Sequence, residues 1–295
     1  SGDTGGAVAN GFLGLEGINV VILYPAGRVS EIQEKQLTTY KGNITALEVN
    51  GSFDDCQKMV KDAFLDKTLS RKLNLSSANS INIARLLPQS VYYAWAWKHV
   101  NSNQPTIFSV PSGNFGNLTG GIFAKHMGLP IQKFIAATNA NNVFPQYLKT
   151  GKFNSIPSKE TISNAMDVGN PSNFDRIIKI YDENRNDIQN DIISWSFKDR
   201  TTKYIIKSIH NNFNYLVDPH TAVGISGIEK YKKKINTDFN YIAIATAHPA
   251  KFIQVMKPII NKEITIPKQL QKSMEKEKNS IRIPASYSSL KDFLI

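Results

Sequence analysis

The stretch Thr106-Ile-Phe-Ser-Val-Pro-Ser-Gly-Asn-Phe-Gly-Asn117, continuing as Leu118-Thr-Gly-Gly-Ile-Phe-Ala-Lys-His-Met127, decides how this chain is read. A short apolar β-type run enters a Gly/Asn-rich turn, and the turn opens an amphipathic helix. That order presents backbone N–H groups at a helix N-terminus, where the positive end of the dipole favours an anion. Gly113 and Gly116 are expected to take left-handed backbone conformations and to let a ligand come close. Asn114 and Asn117 tolerate the same conformations and can donate side-chain hydrogen bonds. Two readings fit the spacing: a phosphate cradle, or a plain strand–turn–helix corner.

A second such turn is Ser1-Gly-Asp-Thr-Gly-Gly-Ala-Val-Ala-Asn-Gly-Phe12. Small residues and hydroxyls open a helix here as well, so its N–H groups suit another anion, such as a carboxylate. It is neither a Walker A loop, since no Gly-Lys-Ser/Thr follows, nor a Gly-x-Gly-x-x-Gly fingerprint. A strand is expected before such a turn, yet the sequence opens on the turn and without Met. The expectation is that these 295 residues are the C-terminal part of a longer protein.

Outward from these turns the pattern alternates. Ile18-Asn-Val-Val-Ile-Leu-Tyr24 reads as a buried strand and 30–39 as a helix, with Ser30 and Gln33 in capping-box relation. Residues 44–49 read as a strand and 53–64 as a helix. A polar stretch, 75–83, precedes a helix over about 85–100; 106–110 and 133–138 are strands. Repeated β–α alternation implies a parallel, doubly wound sheet whose ligands sit at the carboxyl ends of strands. Both Gly-rich turns fall at such ends, which favours the cradle over the corner. The region 151–202, rich in Asn, Asp and Ser, is expected to be a helical insertion with long loops. The last strand, Phe239-Asn-Tyr-Ile-Ala-Ile-Ala245, runs into Thr246-Ala-His-Pro-Ala-Lys-Phe252, and the tail from Lys262 is polar, with apolar contacts from Phe293 and Leu294.

Composition narrows the class. A hydrophobic content of 41% supports a sizeable core, and no apolar run approaches the roughly 20 residues of a membrane span. The single cysteine, Cys56, cannot form an internal disulfide; it is expected to pack a helix face, and the protein to be cytoplasmic. The net charge of +11 raises nucleic acid as a partner. However, the lysines are dispersed, Lys230-Tyr-Lys-Lys-Lys234 looks like a solvated helix end, and Lys alternates with Glu over 268–278. No aromatic RNA-binding motif, zinc-ligand spacing or heptad run accompanies them, so neither nucleic acid nor metal is expected.

At this point the residues resemble a family. The chain is similar to the threonine synthases of bacterial and fungal type, within the pyridoxal-phosphate enzymes that share the tryptophan synthase β-subunit fold. The resemblance runs from Ser1 to the C-terminus. It rests on Ser1-Gly-Asp-Thr-Gly5, Leu23-Tyr-Pro-Ala-Gly-Arg-Val-Ser-Glu-Ile-Gln-Glu34, Ser77-Ala-Asn-Ser-Ile-Asn-Ile-Ala-Arg85 and Pro111-Ser-Gly-Asn-Phe-Gly-Asn117. Asn164-Ala-Met-Asp-Val-Gly-Asn-Pro-Ser-Asn173, Asp218-Pro-His-Thr-Ala-Val223 and Thr246-Ala-His-Pro-Ala-Lys-Phe252 add to it.

The resemblance implies an α/β chain of pyridoxal-phosphate fold type II, with doubly wound, mostly parallel sheets in two domains. The smaller would be 1–100 and the larger, cofactor-binding one 101–295. It implies pyridoxal 5′-phosphate as cofactor, its phosphate on Gly113, Asn114, Phe115, Gly116 and Asn117, its pyridine nitrogen on the Thr246 hydroxyl, and its 3′-oxygen beside Asp3. Ser1, Gly2, Thr4 and Gly5 would hold the amino-acid carboxylate. Asn79, Ser80, Asn82 and Arg85 would meet the substrate phosphate, a role that suits a guanidinium among amides and a hydroxyl. The implied reaction converts O-phospho-L-homoserine and water to L-threonine and phosphate by a monomer or homodimer, with no membrane or nucleic-acid partner. The family's Schiff-base lysine is expected upstream of Ser1, in a Phe-Lys-Asp context absent here, so no catalytic lysine is assigned. Lys251 and Lys125 do not match its motif, and His248 is expected to be structural. Two alternatives stay open: another lyase of this fold, such as a serine or threonine dehydratase, and a non-catalytic relative.

Overall fold

In the computed structural model, which describes residues 2–29, 31–79, 82–101, 103–235 and 238–295, helices and strands alternate along most of the chain. In order they are α1 (Gly2–Phe12), β1 (Val20–Pro25), α2 (Glu31–Thr38), β2 (Ile44–Asn50), α3 (Phe53–Leu65), α4 (Lys67–Lys72), α5 (Ile83–Leu86) and α6 (Ser90–Lys98). Then come β3 (Thr106–Pro111), α7 (Gly116–His126), β4 (Ile131–Thr138), α8 (Val143–Thr150), α9 (Phe174–Ile180), α10 (Arg185–Asp191) and β5 (Ile192–Ser196). The chain continues with α11 (Asp199–Phe213), α12 (Pro219–Lys232), β6 (Asn240–Ala243), α13 (Ile253–Ile260), α14 (Lys268–Met274), β7 (Ile281–Pro284) and α15 (Tyr287–Leu294). Among the described residues every strand pairing is parallel, as the alternation implies.

Two compact units result: Ser1–Asn79 with Thr265–Ile295, and Ser80–Ile264. These bounds differ from the division expected near residue 100. At the C-terminal end the reason is β7, which joins the sheet of the first unit in the order β1-β2-β7; at the other boundary it is α6, whose Tyr93 packs into the core of the second unit with Phe108 and Phe134.

In the first unit, α3 is started by Ser52. Its hydroxyl accepts from the Asp55 N–H while the Asp55 carboxylate accepts from the Ser52 N–H at 2.7 Å, a reciprocal capping box. The box expected at Ser30 involves a residue outside those described. Cys56, Met59 and Ala63 then share one helical face, and they pack with Leu47, Val49, Leu69 and Ile283. Cys56 fills a core position as expected, and burial pushes its thiol up to about 11. The polar tail proves more ordered than its composition suggested. Lys278 Nζ reaches Glu34 at 2.8 Å and Glu48 at 2.7 Å, β7 pairs Leu47 with Ile281, and Leu290 of α15 is buried. Asp66 receives Tyr287 Oη at 2.5 Å and Lys291 Nζ at 2.7 Å. Thus 239–245 is not the last strand. A four-residue strand ending in Pro284 survives because it lies on an edge, where a missing N–H costs no ladder bond.

The second unit holds a sheet of order β5-β4-β3-β6. Every residue of β3 is buried, because it is a central strand with helices on its faces. Tyr93, Phe108, Leu118, Ile122, Phe134 and Phe144 belong to its main core. Gly121 is required where α7 meets α6: a Cβ there would lie 2.6 Å from the Tyr93 ring. The region 151–202 is partly as expected, loop-rich with short helices. It also contains β5, which pairs with β4 from Phe134↔Ile192 to Thr138↔Ser196.

Candidate phosphate-binding site

The connection from β3 to β4 to β5 steps toward one side of the second sheet, after which the chain crosses to β6 on the other side of β3. The strand order therefore reverses between β3 and β6, the place where open α/β sheets leave a crevice at strand carboxyl ends. The loop after β3 carries residues 113–117. The segment after β6 carries Thr246, and the Ile244 N–H still donates to the Ser109 carbonyl at 3.0 Å. The structure brings these two expected cofactor elements to the ends of neighbouring strands.

The left-handed residue of the loop is not a glycine. Phe115, the residue preceding α7, has φ 59° and ψ 15°, while Gly113 and Gly116 have no positive φ. A non-glycine residue there costs about 1–2 kcal/mol, so its surroundings must impose it. They do so by burying the Phe115 ring against Phe144 at 4.6 Å and by engaging its carbonyl. That oxygen accepts from Thr119 Oγ1 at 2.7 Å and from the Thr119 N–H at 2.9 Å. Phe115 supplies no side-chain cap to α7.

Asn117 is turned inward. Its Oδ1 accepts from Ser112 Oγ at 2.5 Å and from the Leu118 N–H at 2.9 Å, and its Nδ2 donates to the Pro111 carbonyl at 2.8 Å. Its own carbonyl accepts from Tyr93 Oη at 2.7 Å. Burial raises the Tyr93 phenol well above its ordinary pKa, so it remains a donor. Gly113 is needed for a close approach: a Cβ would lie 2.6 Å from Met166 Cα and 2.8 Å from its carbonyl oxygen. Asn114 Oδ1 accepts from the Ser172 N–H at 2.6 Å and from Ser172 Oγ at 3.0 Å, and the Asn114 carbonyl accepts from Asn173 Nδ2 at 3.0 Å. Tyr93, Met166, Ser172 and Asn173 were not read as site residues from sequence. The one signal was the turn-prone 164–173 segment, noted without a role.

Thr246 is exposed beyond β6. His248 is structural, as expected: its Nδ1 accepts from the Ala250 N–H at 3.1 Å and caps the turn Pro249–Phe252. Lys125 is ion-paired with Asp191 at 2.6 Å. Asn82 caps the short α5 through Oδ1 and the Ala84 N–H at 3.0 Å, and Arg85 on α5 is half-buried, which lowers its pKa from the usual arginine value. Ser80 and Ser1 lie outside the described residues. Within the first unit, Asn79 is exposed, and the Gly2, Asp3, Thr4 and Gly5 backbone forms the first turn of α1. A Cβ on Gly5 would lie 2.5 Å from the Leu37 side chain, so this glycine serves the packing of α1 on α2 as well.

The donor set suits a phosphate. It consists of backbone N–H groups at a helix start and an asparagine amide, with no Asp or Glu anywhere in 106–126. Fold and loop together define a class, the pyridoxal-phosphate enzymes of fold type II. Residues 1–247 match the family described as pyridoxal-phosphate dependent enzyme, and residues 221–294 match the C-terminal region of threonine synthase. The threonine synthase of Buchnera aphidicola subsp. Acyrthosiphon pisum is 42% identical over 297 residues, covering 100% of this chain and 68% of that protein. That of Escherichia coli strain K12 is 39% identical over 305 residues, with coverage of 100% and 68%.

Among solved structures, the E. coli threonine synthase superposes with a TM-score of 0.90 at 38% identity, covering 99% of this chain and 68% of that one. A pyridoxal-phosphate-bound threonine synthase from Brucella melitensis gives 0.89 at 31% identity, with coverage of 99% and 68%. This chain belongs to the threonine synthase family. Maize serine racemase, with a TM-score of 0.59 at 18% identity, shares the fold alone. Among the described residues no helix is long and apolar enough to cross a membrane, and no cluster of metal-ligating side chains occurs.

Proposed function

We propose that the loop 113–117 and Thr246 hold the cofactor of this threonine synthase, and that Arg85 and its neighbours hold its substrate's phosphate. The reaction converts O-phospho-L-homoserine and water to L-threonine and phosphate, by γ-elimination of phosphate and β-addition of water. Pyridoxal phosphate, when bound, supplies the electron sink that makes protons next to the substrate's amine-bearing carbon removable. The chain's own residues bind, orient and neutralise charge. The N–H groups that open α7 and the amide of Asn114 receive the cofactor phosphate. Gly113 and Phe115 shape that loop, and Gly116 and Asn117 contribute through the backbone, since the Asn117 side chain is engaged within the loop. The neutral hydroxyl of Thr246 meets the pyridine nitrogen and leaves it unprotonated.

Ser1, Gly2, Thr4 and Gly5 take the amino-acid carboxylate, and Asp3 borders the 3′-oxygen of the cofactor, hydrogen-bonding it when one of the two carries a proton. Asn79, Ser80, Asn82 and Arg85 take the phosphate that leaves, where a fixed guanidinium offsets the charge that builds on it. None of the lysines in 1–295 anchors the cofactor. Lys125 is committed to Asp191, and Lys251 sits in the turn after Thr246 in a different motif. The 295 residues by themselves therefore have no turnover. The protein acts in the cytoplasm on a small molecule, as a monomer or homodimer.

The observation that supports this reading is that the Gly/Asn-bearing loop and the Thr-bearing segment follow the neighbouring strands β3 and β6, where the strand order reverses. Titration of residues 1–295 tests it. Pyridoxal phosphate should bind and be displaced by inorganic phosphate, whereas pyridoxal should bind far more weakly. O-phospho-L-homoserine should bind the Arg85→Gln variant at least about tenfold more weakly, the loss of one charged pair. Equal binding of pyridoxal and its phosphate sinks the cradle, and steady release of threonine by residues 1–295 sinks the assignment of the lysine.

A further inference from the structure

Asn114 sits at the front of the phosphate loop, and an amide there can face the loop's ligand with either its oxygen or its nitrogen. A backbone N–H can only donate. The atom of Asn114 that faces the Ser172 N–H at 2.6 Å must therefore be the oxygen, and Ser172 Oγ, which can donate as well as accept, then donates to it at 3.0 Å. The amide nitrogen is turned to the opposite side of its plane. Asn173, which is 1% exposed, fixes the backbone of the same residue by donating Nδ2 to the Asn114 carbonyl at 3.0 Å, while its Oδ1 accepts from Arg176 at 3.0 Å.

These two residues are themselves held. Asn173 has φ −90° and ψ 2°, and the Phe174 N–H donates to the Pro171 carbonyl at 3.1 Å, so 171–174 is a type I turn with Ser172 at its second position. Upstream, the strap 161–168 is knotted around Asp167. One carboxylate oxygen accepts from Asn139 Nδ2 at 2.7 Å, Thr161 Oγ1 at 2.7 Å and Asn141 Nδ2 at 3.2 Å, and the other accepts from the Thr161 N–H at 2.9 Å. Behind the strap, His220 Nε2 accepts from the Ala165 N–H at 3.2 Å and therefore carries its proton on Nδ1, toward Asp218 at 2.9 Å. Met166 is thereby set against Gly113.

We infer that Ser172 and Asn173 are positioning residues for the phosphate loop: they select the face of the Asn114 amide that donates, and the knot around Asp167 holds the strap that leads into their turn. The inference rests on the assignment of 113–117 to the cofactor phosphate. It gives Ser172 and Asn173 a role exerted through Asn114, which both of them hydrogen-bond.

The decisive variant is Ser172→Pro. Proline suits the second position of a type I turn, so the turn can persist while the N–H and the hydroxyl both vanish. Asn173→Asp is the companion. It keeps an acceptor for Arg176 but turns an oxygen on the Asn114 carbonyl where a donor stood. Each is titrated with pyridoxal phosphate and with pyridoxal, and melted without either. In wild type the phosphate should confer at least a tenfold preference. Ser172→Pro should lower that preference about tenfold and Asn173→Asp at least as much, with pyridoxal affinity within twofold of wild type, because only the phosphate contact depends on the amide. Ser172→Ala, which keeps the N–H, should fall between wild type and Ser172→Pro and serves if the proline variant does not fold. A wild-type preference that survives intact in the variants overturns the inference. So does a loss that strikes pyridoxal equally, which would mark a merely structural turn. Absence of any preference in wild type overturns the phosphate-loop assignment itself, and this inference with it.

Discussion

Replacing Gly113 by alanine adds one methyl group where there is no room for it. Its Cβ would meet Met166 Cα at 2.6 Å, the Met166 carbonyl oxygen at 2.8 Å and the carbonyl carbon at 2.9 Å. All three are main-chain atoms, so no side chain can rotate away. Relief requires about 1 Å of backbone displacement, by the loop or by the strap, to restore ordinary carbon–carbon separation. The strap is pinned on both sides of Met166, by the Ala165 N–H to His220 and by the hydrogen bonds gathered on Asp167. The loop is pinned through Asn114 and Asn117.

Overpacking of this kind costs about 1–3 kcal/mol. If the loop yields, that cost appears in cofactor binding as a roughly 5- to 150-fold loss of affinity for pyridoxal phosphate. If the strap yields, it appears in the melting temperature of the cofactor-free chain. Fluorescence titration and thermal melting on the same preparation divide the cost between the two. An alanine variant whose affinity stays within twofold of wild type and whose melting temperature moves by less than about 1 °C would refute the close packing of strap and loop, since an effect of 1 kcal/mol must register in one of them.

Two further outcomes follow from the first unit. With its thiol raised to about 11, Cys56 is ionised in only about one molecule in a thousand at pH 8, so an aromatic disulfide reagent should label the native protein at least a hundredfold more slowly than the protein in urea; equal rates would place Cys56 at the surface. The Asp66 carboxyl is held well below the usual carboxylate range, first by Lys291 and then by Tyr287. A depressed folded-state pKa stabilises above the unfolded value of about 4 and fades as pH falls below it. The advantage of wild type over Asp66→Asn in melting temperature should thus be level from pH 5 to 7 and shrink below about pH 4; an advantage that grows with acid would reverse the assigned sign.

How much of this was legible depends on whether a feature is written locally. The path from β3 through the turn to α7 was readable because a buried apolar run, the Gly/Asn cluster and the helix pattern are contiguous. The association of that loop with Thr246 came from the family resemblance, and the adjacency of their strands β3 and β6 only from the fold. What escaped was short or distant. The strand β5 is five half-polar residues and β7 only four, and each lies on a sheet edge where patterning is weak. The left-handed residue was sought at glycine on intrinsic preference, whereas packing of Phe115 on Phe144 overrides preference. Tyr93 contacts Asn117 across 24 residues and Ser172 contacts Asn114 across 58, and no local signal in a single sequence announces such partners. The 164–173 motif was visible as a motif, but its role came only from the fold.

The position of β7 in the first sheet has a consequence for biosynthesis. All four strands of the second sheet have been made by residue 243, and that unit can condense while translation continues. The first sheet stands differently. Its strands β1 and β2 are made long before residues 281–284, which supply the neighbour that β2 takes on the side away from β1. Until then the open edge of β2 is a template for the wrong neighbour. Order of synthesis and order of folding are therefore inverted between the two units, and the interval between them is when this chain most needs a chaperone.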